Sequence, residues 1–137
     1  MKILELTSCF VPSTGGVERC VFEISKRLVR RGHKVKVLTS SRGYPPGFYE
    51  EALEGIEVIR YPERGFLLEV PILLEILPSL LTEDYDIVHV HNVVPFFTDV
   101  AILLARLRGK PVVLTYHNDA HTRIYGRVGT MAGVIYS

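Results

Sequence analysis

Residues 3–32 read ILELTSCFVPSTGGVERCVFEISKRLVRRG, and this stretch decides the fold. Ile3-Leu4-Glu5-Leu6-Thr7 is a short apolar run of the length and character of a buried strand. A loop follows from Phe10 to Gly16, carrying Pro12 and the pair Gly15-Gly16. Val17, Cys20, Val21, Ile24 and Leu28 then recur at helical spacing, with Lys26, Arg27, Arg30 and Arg31 on the polar face. The basic residues gather at the C-terminal end of this helix, where they complement its dipole. Gly32 is placed to end it as a left-handed cap.

The same alternation continues along the chain. Val35–Thr39 is a second strand, followed by turn composition from Ser40 to Gly47. Ile56–Arg60 is a third, short and alternating. Phe66 to Thr82 reads as a helix broken by its prolines. Asp86–His91 is a fourth strand, and Pro95 opens a helix through Leu107 that Gly109 closes. Lys110–His117 is a fifth strand. A short helix near Tyr125 to Met131 and a sixth strand at Gly133–Tyr136 complete the reading. Near-continuous apolar strands separated by helices predict an α/β fold, with a parallel sheet covered on both faces. Right-handed crossovers leave few topologies, and the Rossmann-like doubly wound order 3-2-1-4-5 leads.

Composition narrows the classes. With 137 residues the chain is expected to form one domain, residues 1–137. At this size roughly two-thirds of the unfolded surface can be hidden, enough for a core without staples. Hydrophobic residues at 47% and charged ones at 23% argue against disorder. Sixteen Lys+Arg against fifteen Asp+Glu leave a net charge of +1, with no electrostatic footprint for nucleic acid. Cys9 and Cys20 cannot make a disulfide framework; they read as small buried hydrophobes, and a reducing cytoplasm suits them. Lys2 and Glu5 break any signal-peptide core. The most apolar stretch, 66–81, is cut by Glu69, Pro71, Glu75 and Pro78 and falls short of the roughly 18 apolar residues of a membrane span.

In a doubly wound sheet, ligands bind at the C-terminal ends of the strands, where the strand order reverses. Three loops are expected there. The first carries Gly15 and Gly16 at a helix N-terminus, whose free N–H groups suit a phosphate; the alternative is a turn needing positive φ. The second begins at His91-Asn92. His89 and His91 are two apart on one strand and so face one side. His89 is read as a satisfied structural hydrogen bonder, while for His91 the structural and functional readings stand level. The third begins at Thr115-Tyr116-His117-Asn118-Asp119, and His117 is expected to donate a hydrogen bond to a sugar hydroxyl or a developing oxyanion, with Asp119 orienting it or an acceptor hydroxyl. The histidines 89, 91, 117 and 121 also raise a metal site, but their spacing matches no metalloprotease signature, and no metal is expected. No P-loop, complete dinucleotide fingerprint or nucleophile elbow is present. Arg42, near the end of the second strand, keeps an NADP-binding module open.

Four segments in order carry a resemblance. They are Pro12-Ser13-Thr14-Gly15-Gly16-Val17-Glu18, Arg31-Gly32-His33-Lys34-Val35, Tyr85–His91 and Pro111–Asp119. Together the chain resembles the N-terminal domain of a GT-B glycosyltransferase of family 4, the group 1 transferases. The resemblance implies retaining transfer of a sugar from a nucleotide-sugar donor to a hydroxyl acceptor, glycan or lipid-linked, without a metal or other cofactor. It implies that Gly15 and Gly16 lie near the donor phosphates and that His117 lies near the transferring sugar. Glu18 either touches the acceptor or favours the helix dipole, and His33 closes a turn. In the family a second domain holds most of the donor nucleotide. The chain is therefore expected to be an incomplete domain, inactive alone, completed by a C-terminal domain or a separate donor-binding subunit. Family members with lipid acceptors touch the bilayer through the region matching 66–81. The nine apolar residues between Phe66 and Leu77 thus raise peripheral membrane contact and self-association, beside the preferred reading of burial. An NADP- or partner-binding module and a His-based metal-dependent hydrolase are the competing readings.

Overall fold

A computed structural model of the chain describes residues 1–63, 66–67, 70–71, 75–92 and 97–117, with backbone alone for 66–67 and 70–71. The elements run β1 (Lys2–Leu6), α1 (Gly16–Arg30), β2 (Lys34–Ser40), β3 (Tyr49–Leu53), β4 (Ile56–Tyr61), β5 (Phe66–Leu67), β6 (Val70–Pro71), α2 (Ile76–Thr82), β7 (Ile87–His91), α3 (Phe97–Leu107) and β8 (Val112–Thr115). Among the described residues one six-stranded sheet has the order β3-β4-β2-β1-β7-β8. Its parallel part, β4-β2-β1-β7-β8, is the expected 3-2-1-4-5 arrangement. Leu4 lies between Lys36 on β2 and Val88 on β7, which puts β1 at the centre.

Both faces of the sheet are covered, as a parallel sheet requires. On one face Leu4, Leu6, Leu38, Ile59, Val88 and Val90 pack with Ile76 and Leu80 of α2 and with Ala101 and Ala105 of α3. On the other, Ile3, Val35, Val37, Ile56 and Val58 pack with Phe10 and Val21. Val17 and Leu28, from the expected apolar face of α1, join Phe22 and Val29 around this second cluster. Consecutive strand residues point to opposite faces, so β1, β2, β4 and β7 each feed both clusters.

The helix ends behave as their glycines predict. Gly32 takes φ 89° after α1; its N–H bonds the Val29 carbonyl at 2.9 Å, and His33 N–H bonds the Leu28 carbonyl at 3.1 Å. Gly109, φ 68°, repeats the pattern after α3, with Lys110 N–H on the Ala105 carbonyl at 2.9 Å. Each is a double hydrogen bond around one left-handed residue, so the chain can turn sharply into the next strand.

The structure corrects the sequence reading in several places. The antiparallel edge strand β3 was not expected; it joins β4 through a two-residue turn, Glu54-Gly55, with φ of 49° and 81°. Within 66–82 only Ile76–Thr82 is helical among the described residues, and β5 and β6 pair antiparallel instead. Pro71 can neither donate within a helix nor follow a helical residue comfortably. Pro78 sits in the first turn of α2, where a free N–H would have no partner. Ile76 is buried and Leu77 packs on the first cluster, which fits burial for those two residues. Cys9 is buried, but Cys20 is only half-buried. The expected start of α3 at Pro95, the helix near 125–131 and the strand at 133–136 lie outside the described residues. No helix among the described residues is long and apolar enough to cross a membrane.

Candidate active site

Parallel pairing brings the C-terminal ends of β1, β7 and β8 to one rim: Leu6 lies opposite Val90, and His91 opposite Thr115. The fifteen residues of α1 span about 22 Å. The helix runs back to the opposite rim, where β2 starts with Lys34 beside Lys2. Its N-terminus, with Gly15 and Gly16, therefore opens on the same rim as His117.

At that rim a carboxylate and three imidazoles form one hydrogen-bonded group. Glu5 stands opposite His89, and both share a sheet face with His91 and Thr115. Glu5 and the His91 side chain are fully buried. Glu5 Oε2 lies 2.5 Å from His91 Nε2 and 3.1 Å from His89 Nδ1. His91 Nδ1 lies 2.8 Å from His117 Nε2, and the two rings stack at 5.1 Å with 25° between planes. His89 Nε2 lies 2.7 Å from Thr115 Oγ1. The backbone is held as well: His117 N–H donates to Asn92 Oδ1 at 3.1 Å, and Asn92 N–H donates to the Thr115 carbonyl at 2.9 Å. Asn92 itself takes φ 67°, a left-handed conformation that asparagine tolerates better than most residues.

The electrostatics follow from this packing. Burial pushes the Glu5 carboxyl up, but hydrogen bonds from His89 and His91 outweigh it and leave it below its ordinary value. Burial, then the proximity of His91 and His89, holds His117 below the ordinary imidazole value, which favours the neutral ring. Glu5, His89 and His91 also bring one ligand atom each within 4.8 Å of one another, a spacing a metal ion can use. In this structure those same atoms are joined by hydrogen bonds. Of the four histidines expected to form a metal site, His121 lies outside the described residues.

The glycine loop is built differently from its alternative reading. Gly15 is extended, with φ 178°, and neither Gly15 nor Gly16 occupies the left-handed region. A Cβ on Gly15 would fall 2.3 Å from Glu18 Oε2. The missing side chain thus makes room for the Glu18 carboxylate at the helix N-terminus, where a negative charge is favoured. The loop leading there is anchored by a residue that sequence reasoning missed. Arg60 is fully buried; its Nε donates to Glu51 Oε1 at 2.9 Å, and its Nη2 donates to the Val11 carbonyl. Its guanidinium lies 4.5 Å from the Tyr44 ring centre.

Of the expected site residues, His117, His91 and Asn92 come together, and Gly15, Gly16 and Glu18 share their rim. Asp119 lies outside the described residues. His89 makes the hydrogen bonds its structural reading required. His33 closes the turn after α1 through its backbone. Arg42, kept open for an NADP phosphate, has its Nε 3.4 Å from Glu63 Oε1. Glu5 was missed as a site residue, although a carboxylate inside an otherwise apolar central strand is itself a signal.

A doubly wound sheet with a glycine-led helix and a strand-end imidazole at one rim defines a Rossmann-like unit. Comparison with known proteins narrows this. The family model for glycosyltransferase family 4 matches residues 14–135, and the chain belongs to that family. It is 31% identical over 124 residues to a phosphatidylinositol N-acetylglucosaminyltransferase subunit of Arabidopsis thaliana, covering 86% of this chain and 28% of that protein. It is 32% identical over 122 residues to O-antigen chain mannosyltransferase C of Escherichia coli, covering 87% and 32%. A GDP-mannose:cellobiosyl-diphosphopolyprenol alpha-mannosyltransferase of Xanthomonas campestris matches at 28% over 134 residues, covering 93% and 34%. The chain thus spans about a third of the length of these relatives. Among solved structures, sucrose-phosphate synthase from Thermosynechococcus elongatus superposes with a TM-score of 0.53 at 17% identity, over 87% of this chain and 33% of that one, a likeness of fold. The NADP-binding and metal-hydrolase readings are not favoured by this membership.

Proposed function

We propose that this chain forms the acceptor-side half of a retaining GT-B glycosyltransferase that moves a hexosyl group from a nucleotide-sugar to a hydroxyl acceptor. The observation that carries the reading is His117, a half-buried imidazole held by His91 and Asn92 at the rim that also bears the Gly15-Gly16 helix start. The helix N-terminus takes the donor phosphate side, and His117 meets the transferring sugar. Donor binding is completed by a second domain or by a separate donor-binding subunit, and no metal or other cofactor is required. Two relatives are named for lipid-linked work, one on phosphatidylinositol and one on a diphosphopolyprenol, which supports a lipid-linked acceptor and work at the membrane periphery.

The test is transfer by the complete protein from UDP- and GDP-hexoses to phosphatidylinositol and to polyprenyl-diphosphate sugars. His117→Ala is expected to lower kcat by about 100-fold or more, in the range of a lost proton-transfer or polarising group. Its unfolding midpoint should move little, since the ring is half exposed. Transfer at the unmodified rate would remove His117 from the site. Absence of transfer with every donor would remove the reading itself.

A further inference from the structure

The hydrogen-bond chain behind His117 has a polarity that follows from donor and acceptor chemistry. An ionised carboxylate only accepts, so Glu5 Oε2 requires N–H at both His89 Nδ1 and His91 Nε2. A His91 ring that carries a single proton, held at Nε2 by Glu5, presents a lone pair at Nδ1. The atom 2.8 Å away, His117 Nε2, must carry the hydrogen that fills it. His89 accepts in the same way, at Nε2, from the Thr115 hydroxyl. Among the described residues His117 Nδ1 has no hydrogen-bond partner, so it is the nitrogen left for a ligand.

We infer that Glu5 is the positioning residue of this site: through His91 it fixes His117 as the Nε2–H tautomer, so that Nδ1 meets the substrate as a hydrogen-bond acceptor. The ligand atom that suits an accepting imidazole is a hydroxyl donor, such as a sugar or acceptor O–H. A phosphate oxygen, itself an acceptor, is turned away from this nitrogen and left to the glycine-led helix start. The Glu5 carboxylate lies two hydrogen bonds from His117 and three from the ligand, and touches neither donor nor acceptor. The assignment of a sugar hydroxyl rests on the transferase reading; the tautomer does not. Position 5 is well placed for the task because it lies on the central strand, where it is fully buried and pinned in register against His89.

The test uses the complete protein labelled with 15N-histidine near neutral pH, with ring-nitrogen shifts reporting each tautomer. His117 is expected as Nε2–H, with Nδ1 unprotonated. Glu5→Met removes the acceptor; His91 then turns to Nδ1–H, donates to His117, and His117 switches to Nδ1–H. Glu5→Gln keeps a carbonyl acceptor and is expected to keep the original tautomer. Should Glu5→Met fail to fold, His91→Phe serves: it cuts the chain and leaves His117 a mixture of tautomers. In transfer assays Glu5→Met should lower kcat about 10- to 100-fold with KM little changed, as the loss of an orienting partner does. A wild-type His117 found as Nδ1–H, or one whose tautomer ignores both Glu5→Met and His91→Phe, would overturn the inference. So would a stoichiometric metal ion in protein purified without a histidine tag. A tautomer switch without any transfer would sink the transferase reading and leave the positioning role standing.

Discussion

At the residue scale, the rim cluster ties folding to proton uptake. His117 binds its proton less readily in the folded chain than the ordinary value of 6.5, because of burial and then its histidine neighbours. The unfolded chain therefore takes up the proton first as pH falls. Stability from this group is complete above 6.5 and declines as pH drops through that value toward the lower folded one. Glu5 acts in the same direction in a lower window: its folded value lies below 4.5, so its contribution is present above 4.5 and is lost as pH falls through the folded value. Between pH 7.5 and pH 5 the urea midpoint of the wild type should fall further than that of His117→Gln, since only the wild type loses this contribution. Parallel curves would mean that the imidazole is not perturbed by folding. Sequence alone named His117, His91 and Asn92, because strand-end position and residue type are both local. It did not name Glu5 as a site residue, since its partners are 84 and 86 positions away and come beside it only through strand pairing.

At the scale of elements, the glycines separate two kinds of turn. Gly32 and Gly55 have similar left-handed φ, 89° and 81°, but different surroundings. A Cβ on Gly32 meets nothing within 4 Å, whereas one on Gly55 would fall 2.9 Å from Val29 Cγ1. Gly32→Ala is expected to cost about 1 kcal/mol, the conformational penalty alone. Gly55→Ala should cost more, roughly 2 kcal/mol, because a stiff, partly buried valine must also move. Equal losses in chemical denaturation would mean that α1 yields freely at Val29. The Gly55 hairpin also explains why β3 was missed. A two-residue turn of this type usually announces itself with Asn-Gly or Asp-Gly, and here glutamate takes the first left-handed position. The apolar run at 66–82 misled in the opposite sense: its composition suits a helix, but Pro71 and Pro78 leave helical hydrogen bonding only from the first turn of α2 onward.

At the scale of the molecule, one sheet separates two apolar clusters, and neighbouring residues of β2 serve different ones. Val37 belongs to the α1 side and Leu38 to the α2–α3 side, and both are fully buried. If the sheet couples the two sides, Val37→Ala and Leu38→Ala should each lower the urea midpoint in a single transition with unchanged slope. The leucine variant is expected to lose about 2–5 kcal/mol, and the valine variant less. Two separable transitions in either variant would show that the faces unfold independently. The same arrangement sets the site. The strand order places β1 between β2 and β7, so the loop after β1 and the loops after β7 and β8 open side by side on one rim.

The sequence by itself determined the strand–helix alternation, the parallel order of the main strands, the helix-ending glycines and the histidine at the end of β8. These rest on periodicity, on turn chemistry and on the handedness of crossovers, which act over short stretches of chain. Only the tertiary structure decided that Glu5 stands behind His91 and His117, that Arg60 anchors the loop before α1, and that Gly15 yields its space to Glu18. The third is set by where the Glu18 side chain lies at the start of α1; the first two depend on the register in which strands distant in the chain pair. That choice is made by the simultaneous burial of both sheet faces, which no single stretch of sequence contains.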